Sequence, residues 1–305
     1  MKNILFGPVN SRRFGKSLGI DLSPTKKQCN FDCLYCELAP AKTISTYEDL
    51  LSTQEIMQAL EEGLRLYPDI DVLTITANGE PTLYPYLSEL MDEINKIKGS
   101  IKTLILSNGS TIANEATQEA LMKFDTVKLS LDCATSLCLK RLDRADSSVE
   151  IDQIKSGMLA FRSKFQNPLI IEVLMVKNIN DKPQEIKALN GYLLELNPSR
   201  IDLGTIDRPP AYTVEPLSYE DLYRISLMFD ERLPLYIASR KKRDIDPSSY
   251  SEIKILDTLK KRPLTQEDID TLLDSPSLER FKKLYEEGKI HTRQSGGYEF
   301  FVVLT

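Results

Sequence analysis

The chain has 305 residues, 41% of them hydrophobic, a net charge of −6 and a pI of about 5.2. That length and apolar content exclude a disordered chain and leave room for a barrel with an appended unit. The acidic balance excludes a protein that coats nucleic acid by charge alone, though not a local basic site.

The first twenty residues carry no long apolar core and no small-residue cleavage signature, and no apolar run approaches the roughly 20 residues that span a bilayer. A soluble, cytoplasmic protein without membrane contact is expected. A strand is predicted over 17–22. Ser52 and Glu55 form a capping box before Ile56, Ala59, Leu60 and Leu64, which recur at helical spacing. Strands over 71–76, 103–107, 126–131, 169–176 and 201–205 then alternate with helices over 86–97, 115–124, 150–165 and 183–196. A weaker strand is expected over 235–238. The strands are rich in Val, Ile, Leu and Thr, as strands buried on both faces are. This alternation implies an α/β fold with a parallel sheet and right-handed crossovers. A partial (β/α)6 barrel suits it better than a doubly wound sheet.

The pattern changes near residue 240. Arg240, Lys241, Lys242 and Arg243 form a charge run, and Pro247 follows, which reads as a linker between domains over 1–243 and 250–305. Beyond it, helices are predicted over 251–261, 265–273 and 277–287, the second capped by Thr265 with Asp268. A hairpin over 290–304 turns at Ser295-Gly296-Gly297. Three helices and a hairpin give a winged-helix-like C-terminal domain. Its charge is balanced, so it reads either as a surface for RNA or a protein, or as a packing module. The run 240–243 is a candidate phosphate contact or a solvated face.

Five cysteines are present, three of them at Cys29, Cys33 and Cys36, directly after the first predicted strand. An odd number so clustered is a poor disulfide framework and reads as metal or redox chemistry. His291 is the single histidine, which excludes His-rich zinc sites and histidine triads. A structural zinc loop wants four ligands in C-x-x-C pairs, and here the spacing and the fourth ligand are wrong. Three thiolates can instead hold three irons of a [4Fe–4S] cluster. The open iron can be chelated by the amino and carboxylate groups of S-adenosylmethionine, and reduction then cleaves that molecule to methionine and a 5′-deoxyadenosyl radical. Such loops lie at the C-terminal face of a parallel β/α sheet, where sites are built.

This spacing, with Tyr35 just before the last cysteine, resembles the signature of the radical SAM superfamily. Thr76-Ala77-Asn78-Gly79-Glu80-Pro81-Thr82-Leu83 resembles its Gly-Glu-Pro motif, which implies contact with the methionyl amino group through Glu80 and close backbone approach at Gly79. The resemblance further implies cofactor contacts from Asn78, Pro81, Ser107, Asn108, Asp132 and Met175, with Tyr35 near the adenine. Residues 7–20 narrow the likeness to small iron–sulfur oxidoreductases related to the wyosine (tRNA-guanine modifying) synthases, over about residues 7–210. Those synthases are expected to carry a second cluster, for which this chain has no cysteines, so their reaction is not carried over. The likeness raises the expectation of a tRNA or other RNA nucleoside substrate.

Arg12, Arg13 and Arg208 are candidates for holding an anionic group, with a solvated surface as the alternative. Cys133 is either a hydrogen-atom donor or an inert thiol. The family resemblance implies an electron donor such as flavodoxin or ferredoxin, and a monomer or weak dimer is expected. Two other readings stay open: a peptide, protein or small-metabolite substrate, and an iron–sulfur redox sensor that binds DNA through the tail.

Overall fold

The computed structural model describes residues 3–11, 14–237, 247, 249–261, 263–295 and 298–303. Eight strands form one sheet whose spatial order follows chain order: β1 (Leu5–Ser11), β2 (Gly15–Asp21), β3 (Val72–Thr76), β4 (Lys102–Ser107), β5 (Thr126–Ser130), β6 (Leu169–Met175), β7 (Arg200–Thr205) and β8 (Leu235–Ile237). The first pair is antiparallel, and every later pair is parallel. A doubly wound sheet reverses its strand order at a switch point. No reversal occurs here. Among the described residues β1 and β8 are not paired to each other, so this is a partial barrel.

The crossovers run through α1 (Thr53–Leu66), α2 (Leu87–Ile97), α3 (Glu115–Leu121), the single turn α4 (Ser136–Cys138) with α5 (Ile151–Lys164), α6 (Pro183–Leu196) and α7 (Tyr219–Ser226). Both bonds of the predicted Ser52–Glu55 capping box are formed. One apolar core joins these helices to the outward strand faces.

Strand β1 and helix α7 are among the elements outside the sequence expectation. Strand β1 contains Gly7-Pro8, which reads as a breaker because proline lacks an N–H. Proline is tolerated on an edge strand or at a bulge, and β1 is an edge strand whose register shifts between Phe6 and Val9. Helix α7 is short and carries its cap locally, with Ser218 accepting from Asp221 N–H.

The tail folds as α8 (Glu252–Lys261), β9 (Leu264–Thr265), α9 (Gln266–Leu272), α10 (Ser275–Glu286), β10 (His291–Ser295) and β11 (Tyr298–Val302). Its strands pair in the order β10-β11-β9 over a separate small core. It rests on the barrel through Tyr250 OH to Pro8 O (3.2 Å), Lys254 Nζ to Tyr67 OH (2.8 Å) and an Arg293 guanidinium N–H to Pro210 O (2.7 Å). The charge run 240–243, the end of the weaker strand at residue 238, the turn at 296–297 and both Arg12 and Arg13 lie outside the described residues. Among the described residues, no helix is long and apolar enough to cross a membrane.

Candidate functional site

The cysteine loop leaves β2 at the C-terminal edge of the sheet and is pinned from all sides by backbone bonds. Ile44 N–H donates to Cys29 O (2.9 Å), Asp32 N–H to Asp143 O (3.1 Å), Leu34 N–H to Leu142 O (2.9 Å) and Ala211 N–H to Cys36 O (2.8 Å). Gln28, fully buried, ties it to the Gly-Glu-Pro turn. Its N–H donates to Asn78 O (2.7 Å), and its carbonyl accepts from Glu80 N–H (2.9 Å). Its side chain is also held: Oε1 accepts from the N–H groups of Glu48 and Asp49, and Nε2 donates to Ser23 Oγ and Asp49 O.

Cys29, Cys33 and Cys36 are free thiols facing one solvent-open cleft. Burial pushes the Cys29 thiol up to about 12 and raises Cys33 and Cys36 as well. Thiols so raised ionise on binding a strong cation, releasing protons. The three sulfurs are not gathered within 4.8 Å of one another. A single tetrahedral zinc, with bonds of about 2.3 Å, would hold them roughly 3.8 Å apart. The spread-out thiols fit a [4Fe–4S] cluster with one iron lacking a protein ligand. Among the described residues the one trio gathered that tightly is Cys133, Cys138 and Glu185.

The same cleft is lined by Thr76 at the end of β3, Gly79 and Glu80 from the turn after it, Ser107 at the end of β4 with Asn108 just beyond, and Ser130 at the end of β5. The Glu80 carboxylate is buried and accepts four bonds: Thr82 N–H (2.9 Å), Thr82 Oγ1 (2.6 Å), Ser107 Oγ (2.7 Å) and Asn108 N–H (2.6 Å). Burial raises its pKa, and these donors oppose the shift. Asn108 Nδ2 lies 3.7 Å from Cys29 Sγ and 3.0 Å from Asn30 Oδ1.

Other sequence candidates sit differently. Asn78 and Pro81 shape the turn instead of lining the cleft: Asn78 N–H donates to Asp21 Oδ1 (2.9 Å), and Pro81 opens a short 3₁₀ turn over Pro81–Leu83. Met175 sits apart from these residues. Its side chain is buried in the apolar core, outside the cleft lining, and its carbonyl accepts from Thr205 Oγ1. Arg208 pairs with Glu37 at 2.7 Å, beside the cysteine loop. Cys133 is corrected, because it forms a disulfide with Cys138 and carries no S–H to donate.

Tyr35 and Asp132 line a small adjoining cavity with little more room than a water molecule needs. Tyr35 OH donates to Asp132 Oδ2, and Leu174 N–H to Oδ1 (2.6 Å). Burial pushes Asp132 up to about 7. The native state therefore holds a proton that the unfolded chain has already lost between about pH 4 and pH 7. The contribution of Asp132 to stability is expected to be full below that window and to decline as pH rises through it. Urea unfolding at several pH values checks this: Asp132→Asn should flatten the decline, and an unaltered slope would refute it.

Sequence reasoning missed Lys27, Gln28, Lys128 and Glu172. Lys128 and Glu172 also line the cleft, paired with each other, and Lys128 lies 3.1 Å from buried Asp202. A charged residue in the middle of an apolar strand was the available signal.

A family model for the Radical SAM superfamily matches residues 24–189. The chain is 41% identical over 302 residues to a UPF0026 protein of Helicobacter pylori (strain ATCC 700392 / 26695), covering 98% of this chain and 97% of that one. It is 24% identical over 181 residues to an S-adenosylmethionine-dependent nucleotide dehydratase of Flammeovirga pacifica, covering 56% of this chain and 60% of that one. The solved structure of TYW1 with a lysine-pyruvate adduct bound matches with a TM-score of 0.53 at 16% identity, over 71% of this chain and 74% of that one. That last likeness is one of fold.

Proposed function

The chain belongs to the radical SAM superfamily, and from that premise we propose that it modifies a nucleoside in RNA, with tRNA as the first substrate to test. With Cys29, Cys33 and Cys36 as ligands, the chemistry supplied is that of a [4Fe–4S] cluster, one-electron cleavage of S-adenosylmethionine to methionine and a 5′-deoxyadenosyl radical. The chain's own residues bind and orient. Gly79 lets backbone come close, while Ser107, Asn108 and Ser130 offer polar contacts at the strand ends. Phe31 and Leu106 supply apolar wall that excludes water.

The observation that carries this reading is the shape of the cleft. It begins at the cysteines and strand ends and continues to Lys128 and Glu172, so a second polar molecule has somewhere to lie. The likeness to a nucleotide dehydratase and the fold shared with TYW1 support a nucleoside as that molecule. A cytoplasmic location and a flavodoxin- or ferredoxin-type electron donor belong to the same reading. The DNA-binding sensor is dropped, because it leaves the Gly79-Glu80 cleft without a purpose.

The anaerobically reconstituted, reduced protein is expected to release 5′-deoxyadenosine. Total tRNA from a deletion strain is expected to lack one modified nucleoside present in the parent, measured by chromatography with mass detection. An unchanged profile would overturn the RNA reading and favour a free nucleotide, as the dehydratase likeness suggests.

A further inference from the structure

We propose that Lys27 raises the reduction potential of the cluster held by Cys29, Cys33 and Cys36, and that Asp32 fixes its ammonium in place. The proposal rests on the superfamily reading above and concerns how that site is tuned.

Lys27 lines the cleft together with all three cysteines. Its ammonium lies 2.9 Å from Asp32 Oδ1, and the two side chains are only 8% and 10% exposed. Asp32 itself lies between Cys29 and Cys33 in the chain. Its second oxygen accepts from Tyr212 OH and lies 3.6 Å from an Arg144 guanidinium nitrogen. Arg144 in turn stacks over the Tyr212 ring at 4.7 Å. Two cations therefore face one carboxylate, and this trio carries a net positive charge, set against the carboxylates of Glu80, Asp143 and Glu37 that also act on the cysteines.

The loop is held by more than this ion pair and the bond that Asp32 Oδ1 accepts from Ala41 N–H at 3.5 Å. Four backbone bonds from residues 44, 143, 142 and 211 already hold it. Burying a charge pair carries a desolvation cost that an apolar pair would avoid. An electrostatic purpose accounts for the choice. Reduction adds one negative charge to a group already bound by three thiolate anions. A nearby cation in a medium of low dielectric favours the more negative state, so Lys27 makes the cluster easier to reduce. The electron comes from a low-potential donor, dithionite in the assay.

The loop over 208–212 forms the outer wall of this arrangement. It is anchored by Arg208 to Glu37 and by Ala211 to Cys36 O, and the tail holds it through Arg293 to Pro210 O. Tyr212 is thereby kept over Asp32.

The test is a redox titration of the full chain after anaerobic reconstitution, followed by electron paramagnetic resonance, with iron content measured for every variant. Lys27→Gln is expected to shift the reduction equilibrium at least tenfold toward the oxidised state, 59 mV more negative for one electron. Asp32→Asn is expected to shift it the opposite way, and Lys27→Arg to stay near the parent. Opposite signs are what a field produces and a folding role does not. Shifts of the same sign, or none, would overturn the proposal. So would loss of iron in both Lys27→Gln and Lys27→Arg, since that marks a structural role. If Asp32→Asn holds no iron, Arg144→Gln carries the sign test, expected to follow Lys27→Gln with a smaller negative shift. A parent protein that binds no iron at all would instead fail the superfamily reading of the site.

Discussion

Gly79→Ala is expected to give a folded protein that retains little iron and releases 5′-deoxyadenosine at least ~100-fold more slowly than the parent, about 2.7 kcal/mol of lost transition-state stabilisation. Gly79 has a φ of +141°, a region that side chains rarely adopt. A Cβ placed there would lie 1.8 Å from Gln28 O and 2.3 Å from Gln28 C. Those are backbone atoms, and Gln28 cannot retreat. Its N–H and C=O are bonded on either side of Gly79, and its side chain is held by Ser23, Glu48 and Asp49. The added methyl group must therefore push the turn away from the cysteine loop. Iron per chain after reconstitution and the rate of product release measure the effect, with circular dichroism confirming the fold. Parent-like iron and rate in Gly79→Ala would show that the two loops are not locked together.

Glu80→Gln is expected to be the second most damaging change, lowering stability by about 3 kcal/mol and cutting S-adenosylmethionine cleavage more than the loss of any one of its donors. The sequence points to Glu80 as a partner for an ammonium. The structure shows its carboxylate already accepting from Thr82, Ser107 and Asn108. It locks the end of β4 against the turn after β3, and so shapes the cleft wall. A glutamine has one acceptor oxygen and an NH₂ in place of the other. Whichever way the amide turns, donors face donors in a buried site, and the carboxylate charge that strengthens every bond is gone. Ser107→Ala makes the useful contrast. It removes one donor and leaves the carboxylate three, and it also removes the acceptor of Gly109 N–H (3.0 Å), so a loss of about 1–2 kcal/mol is expected. Chemical denaturation of the apo proteins compares the two. Equal losses would mean that the four bonds are not what matters at Glu80.

The fate of individual residues shows how far local pattern carries. Tyr35 stands in the cysteine motif, but its partner Asp132 is 97 positions away. Nothing in either segment announces that their meeting uses up the tyrosine hydroxyl. Cys133 and Cys138 are five residues apart, and the disulfide depends on the turn that α4 makes between them. Met175 stays out of the cleft lining for a reason of parity. Adjacent strand residues point to opposite faces, and the face of β6 that carries Met175 packs into the core while Glu172 faces the cleft.

The sequence by itself determined the alternation of strands and helices, the capping box at Ser52, the three-cysteine loop and the glycine-glutamate turn. These are local signals, written in side-chain period, cap chemistry and ligand spacing over a few residues. The tertiary structure alone decided which distant groups meet around that loop. Lys128 from β5 and Glu172 from β6 complete the cleft, Gln28 ties the loop to Gly79, and Tyr212, 180 positions from Asp32, covers it. Register across parallel strands and the packing of the long connection after β7 set those meetings. Both are properties of the whole assembled sheet, and no short stretch of the chain encodes them.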